Sequence, residues 1–233
     1  MNVFNLIKDI FAPKRCYVCN INWQYLCQQC LKKIWYFESS CYVCKQKSKN
    51  FETHFYCEND FIFYDKIIIL THYKNKYIKK LIKHAKFYHR FEIFNDLSFY
   101  LSKTLLDNLE EKIEDCLFIS TPMYFLKKII RWYNQSELLI KALNKNIKID
   151  YNFNILKKIK NTKPQSHLSK TQRIDNLRWK FKINLKEIKK YKNKTIIIVD
   201  DVISTWTTIN ELSKILKQNW VKKVIWLCIA SGN

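Results

Sequence analysis

Residues 195–211 read TIIIVDDVISTWTTINE. Thr195 to Val199 are all β-branched and leave no position for a solvated face, so they predict a strand buried on both sides. Two adjacent carboxylates, Asp200 and Asp201, follow. A hydroxyl-rich loop (Ser204, Thr205, Thr207, Thr208) then leads into a helix, INELSKILKQN, at 209–219. In open α/β sheets ligands bind beyond the carboxyl ends of the strands, and free N–H groups at a helix start favour an anion. Carboxylates beside such a cradle would repel a bare phosphate. They suit a ligand that carries neutral hydroxyls one turn from its phosphate. A ribose 5-phosphate meets that description, with its diol on Asp200 and Asp201 and its phosphate on the loop. The plainer alternative is that Asp201 only caps the helix.

Working outward, the pattern is strands alternating with helices. FIFYDKIIILTHY (61–73) reads as strands, with an apolar run at 67–70. Residues 75–106 are helical by period, through Tyr77, Ile78, Leu81, Ile82 and Ala85, then Phe91, Phe94, Leu97, Leu101 and Leu105. CLFIST (116–121) is a short buried strand, NQSELLIKALNK (134–145) a helix, and KKVIWLCIA (222–230) a closing buried strand. Such alternation predicts an α/β fold with a mostly parallel sheet and helices on both faces. The basic, weakly periodic segment 157–182 reads as a functional loop or a disordered one.

Seven of the nine cysteines lie before residue 60. They fall as Cys16-x2-Cys19, Cys27-x2-Cys30 and Cys41-x2-Cys44, with His54-x2-Cys57 closing the series. In a reducing compartment this spacing points to zinc, because a tight knuckle presents two sulfurs to one edge of a tetrahedron. The simplest pairing is one site of Cys16, Cys19, Cys27 and Cys30, and another of Cys41, Cys44, His54 and Cys57; a crossed pairing of knuckles stays open. Knuckles want a positive-φ residue after the second cysteine; Asn20 suits that position and Lys45 suits it less. Cys116 and Cys228 sit in apolar runs and read as core. The expected organisation is a small double zinc ribbon at 1–60, with structural metals, and an α/β domain at 61–233.

Forty-two Lys and Arg against twenty Asp and Glu give a net charge of +22, so polyanions are natural partners. The Lys-rich helical run KKLIKHAK (79–86), with aromatics interspersed, suits single-stranded nucleic acid. No stretch approaches the 18 uninterrupted apolar residues of a membrane span. MNVFNLIKDIFAPKRC lacks the pattern of a secretory signal, so the expectation is a cytoplasmic protein. The 233 residues include seven tryptophans but a single glycine, Gly232, where ordinary usage of ~7% would give roughly sixteen.

The segment around Asp200 and Asp201 resembles the phosphoribosyl-diphosphate signature of type I phosphoribosyltransferases. From Cys16 to about Ser231 the chain resembles the ComF family of competence-associated, phosphoribosyltransferase-like proteins with an N-terminal double zinc ribbon. STPMYFLKKIIRWYNQSELL carries Pro122, Arg131, Asn134 and Gln135 of one family segment. TKPQSHLSKTQRIDNLRWKF carries Thr162, Gln165, Leu168, Arg173, Asn176 and Phe181 of another. The resemblance implies that Asp200 and Asp201 bind ribose hydroxyls, and that Ser204, Thr205, Trp206, Thr207 and Thr208 form the phosphate loop. It places Lys127 and Arg131 on the pyrophosphate side, with Lys163 and Arg173 reaching the anion from a flexible hood. Phosphoribosyl diphosphate would arrive with Mg2+. The implied role is uptake of single-stranded DNA in natural transformation, beside a DNA-translocating competence helicase and, through partners, at the inner face of the membrane. The resemblance leaves open both the acceptor and whether there is any turnover. The alternative is a zinc-ribbon adaptor for DNA and partners with a vestigial pocket.

Four tryptophans stand where these motifs, or a helix end, call for glycine: Trp132, Trp179, Trp206 and Trp220, with Trp23 a weaker fifth. The codon TGA is one base from the glycine codon GGA. A genetic code reading TGA as glycine, translated with the tryptophan assignment, would print this pattern. Trp35 and Trp226 fit either reading.

Overall fold

The computed structural model describes residues 13–232 apart from 22, 23, 33, 35, 59, 60, 89, 127, 128, 130, 131, 160–179, 204 and 205. Five strands form the central sheet in the order β1-β7-β6-β2-β3, all neighbours parallel. They are β1 (Lys66–His72), β2 (Cys116–Ser120), β3 (Asp150–Tyr151), β6 (Thr195–Ile203) and β7 (Val224–Ser231). Every residue of β2 and β7 is buried, which requires cover on both faces of the sheet. Helices α1 (Lys76–Phe87), α2 (Glu92–Asn108) and α3 (Gln135–Asn146) lie between β1 and β3 in sequence, and α4 (Trp206–Lys217) joins β6 to β7. Helix α2 packs on α3 and β1; α4 packs on β7. No helix among the described residues is long and apolar enough to cross a membrane.

The parallel α/β sheet is as expected, though the strands read over 61–73 are one strand that begins at Lys66, and three further local readings need correcting. The helical stretch 75–106 is two helices, since Tyr88 leaves helical geometry at φ −117°, ψ 18°. Segment 157–182 is not loop throughout: its ends form an antiparallel ribbon of β4 (Leu156–Lys158) and β5 (Phe181–Ile183). The third concerns the hydroxyl-rich loop, because Trp206, Thr207 and Thr208 already belong to the first turn of α4.

The cysteine-rich segment shares the core of the sheet. Cys16, Leu26, Leu31, Ile34 and Phe51 belong to the same buried cluster as Ile67, Phe94 and Leu227. Isolated bridges Tyr36–Thr71 and Glu52–Lys66 tie its backbone to β1.

Candidate functional site

The carboxyl ends of β2 and β6 are adjacent, and the start of α3 meets them there. Asn134 caps α3 by accepting from the Ser136 N–H at 3.1 Å, and its amide donates to the Thr121 carbonyl at 3.0 Å. That orientation aims the Ser136 hydroxyl at Asp200 Oδ1, 3.0 Å away. Asp201 is 2% exposed, and its Oδ2 lies 2.7 Å from Lys86 Nζ at the end of α1. Tyr133 holds that end in place, donating its hydroxyl to the carbonyls of Ala85 and Lys86. Burial and then the Asp201 charge push the Asp200 pKa up to about 7, against the pull of Lys86 and Ser136. The pair is thus one carboxylate matched by an ammonium beside a carboxyl poised near neutrality. Such groups can accept hydrogen bonds from neutral hydroxyls. Gln135, the sequence neighbour of Ser136, is buried, and its Oε1 accepts no hydrogen bond among the described residues.

Of the residues expected on the anion side, Ser204, Thr205, Lys127, Arg131, Lys163 and Arg173 lie outside the described residues, as do Trp23, Trp35 and Trp179. Trp206, Thr207 and Thr208 open α4, which starts after β6 ends at Ile203. Sequence reading missed Ser136 and Lys86. The first could have been found from its place after an N-cap asparagine. The second lies more than a hundred residues from its partner in a run read only as a basic surface.

The eight metal-ligand candidates gather into the two groups of the simpler pairing, and within each group the ligand atoms lie within 4.8 Å of one another. The crossed pairing is excluded. A tetrahedral zinc with Zn–S of ~2.3 Å would hold sulfurs about 3.8 Å apart, close to the 3.6 Å between Cys19 and Cys27. His54 Nδ1 is 3.2 Å from Cys44 Sγ, while Nε2 faces the Lys47 carbonyl at 3.1 Å, the outer contact that fixes a ligating imidazole. The two knuckles repeat one hydrogen-bond pattern. Asn20 N–H donates to the Cys16 carbonyl and Lys45 N–H to the Cys41 carbonyl, each at 2.9 Å, with φ of 61° and 64°. Backbone N–H groups outweigh burial to bring Cys16 down to about 7, and the Gln46 N–H leads in drawing Cys44 down to about 6. Cys30 and Cys57 are held up, chiefly by burial, so a divalent cation is what would ionise each full set.

Between the first knuckle and Lys86 runs a row of aromatic rings. Tyr17 stacks on Tyr25 at 6.0 Å and meets His84 at 4.8 Å, and His84 stacks on Tyr88 at 4.7 Å. Lys80 Nζ lies 4.7 Å over the Tyr17 ring. Lys79, Lys83, Phe87 and Tyr88 are exposed along the same stretch.

A family model described as Phosphoribosyl transferase domain matches residues 135–233. The chain is 30% identical over 235 residues to Competence protein F of Haemophilus influenzae, covering 97% of each protein. It is 29% identical over 157 residues to DNA utilization protein YhgH of Shigella flexneri, covering 65% of this chain and 66% of that one. A solved hypoxanthine phosphoribosyltransferase from Staphylococcus aureus aligns at a TM-score of 0.37 and 14% identity, over 60% of this chain and 64% of its own.

Proposed function

The chain belongs to the ComF family, and from that premise we propose that it acts in DNA uptake by handling single-stranded DNA beside a phosphoribosyl pocket. The observation that carries the pocket is the Ser136 hydroxyl on Asp200 where β2 ends beside β6, with Asp201 paired to Lys86 at the next residue. In this reading Asp200 and Asp201 accept from the ribose 2′- and 3′-hydroxyls. The amides and hydroxyls of residues 204–208 hold the 5-phosphate. Lys127, Arg131, Lys163 and Arg173 face the diphosphate, and Mg2+ bound with it would neutralise its charge.

Two zinc ions fill the cysteine groups, and 1–60 serves as a ribbon module docked on the domain at 61–233. Single-stranded DNA lies along the ring row of Tyr17, His84 and Tyr88. There stacking tolerates any base and Lys79, Lys80 and Lys83 meet phosphates. The protein works in the cytoplasm, reaching the inner face of the membrane through a DNA-translocating helicase.

One observation favours a second reading, an adaptor with a vestigial pocket. Lys86 already neutralises Asp201, the group a ribose hydroxyl would seek. The DNA-handling reading is tested with a fluorescent oligothymidylate. Affinity should fall steeply from low to moderate salt, and Lys79→Glu, Lys80→Glu and Lys83→Glu together should weaken it at least about tenfold. Affinity indifferent to salt and to the three charges would remove this face as the DNA site.

A further inference from the structure

Six residues, none of them glycine, hold positive φ among the described residues: Asn20, Lys45, Asn50, Phe51, Trp132 and Trp220. Four of these are accounted for by their side chains. Asparagine tolerates the left-handed region, and Asn50 also donates to Glu110 at 3.0 Å. Lys45 sets its ammonium 3.7 Å over the Tyr42 ring. Phe51 is 3% exposed within the core. The two tryptophans have no such account. Trp132, at φ 65°, is 86% exposed; Trp220, at φ 69°, is 58% exposed, with Lys189 Nζ 5.8 Å from its ring.

The local backbone around Trp220 says what residue the position wants. Val221 N–H donates to the Leu216 carbonyl at 3.3 Å, a six-to-one closure past the end of α4, and both side chains are buried. This is the Schellman arrangement with its apolar contact, and its left-handed residue is usually glycine. Trp132 occupies the turn that precedes the Asn134 cap, with its N–H donating to the Ile129 carbonyl at 3.3 Å. Among the described residues neither indole makes a hydrogen bond, and the one ring contact is Lys189 with Trp220, at the outer limit of cation–π reach.

Trp226 is the internal control. It is 1% exposed in the middle of β7, and its indole N–H donates to the Ser213 hydroxyl at 2.9 Å. A glycine there would leave a void in the sheet's core. Trp206 opens α4 without a positive φ and carries no weight in this comparison.

We infer that the protein made by its own cells carries glycine at positions 132 and 220 and tryptophan at 226. The two kinds of tryptophan are then two codons. TGA, read as glycine in that cell, lies at 132 and 220, and TGG lies at 226. The same reading accounts for part of the missing glycine, since 233 residues hold a single one.

Peptide mass spectrometry of the protein purified from the cells that encode it tests this directly. Peptides spanning 132 and 220 should each lack the mass of an indolylmethyl group relative to the printed sequence, and the peptide spanning 226 should retain it. Sequencing the coding DNA should find TGA, TGA and TGG at the three positions. Tryptophan at 132 or at 220 would overturn the inference, and so would glycine at 226.

Discussion

At the scale of single residues, backbone geometry and side-chain packing disagree at Trp220 and agree at Trp226. A left-handed L-residue costs roughly 1–2 kcal/mol, and glycine's extra unfolded-state freedom gives back about 0.5–1. Trp220→Gly should therefore hold or raise stability by up to about 1.5 kcal/mol, whereas Trp226→Gly should lower it by about 3 or more. Urea unfolding of the two variants measures both, and equal losses would mean that the Trp220 indole is packed. Motif position and helix-end logic made the glycine sites legible in the sequence, as they did the turn residues Asn20 and Lys45. Lys86 was not legible. Its pairing with Asp201 depends on how α1 ends against β6, and no local pattern encodes that contact.

At the scale of elements, the buried strands could be read because β-branched runs admit one interpretation, and β6 and β7 lie where the apolar pattern put them. The break between α1 and α2 could not, since apolar spacing continues across it while Tyr88 turns out of the helix. The β4–β5 ribbon escaped for a different reason: its pairing joins residues on either side of a long basic segment. The knuckles make their own prediction. The Cys16 and Cys41 turns share one hydrogen-bond pattern but hold separate ligand groups, so the groups should load independently. Cys27→Ser with Cys30→Ser should reduce bound zinc from two ions to one and unfold the first ribbon, because structural metal binding is folding free energy. Metal analysis of the purified variant decides this; two zinc ions retained would show that the Cys16 group is not a zinc site.

At the scale of the whole molecule, the ribbon segment and the sheet share one buried cluster, which sequence reading treated as two compartments because cysteine spacing and strand alternation are separate signals. The shared core places the ring row of Tyr17 and His84 along α1, and the last turn of α1 brings Lys86 to the carboxylates. DNA on that row would end beside the pocket. The central claim is that Asp200 and Asp201 hold a ribose diol. It is tested most directly by calorimetric titration of phosphoribosyl diphosphate with Mg2+ into the chain carrying Trp132→Gly, Trp179→Gly, Trp206→Gly and Trp220→Gly, and into the same chain with Asp200→Asn and Asp201→Asn. Saturable binding to the first is predicted, at least about 100-fold weaker in the second, since charge-assisted hydrogen bonds are worth about 1.5–3 kcal/mol each. Equal affinity in the two chains, or no binding to either, would contradict it.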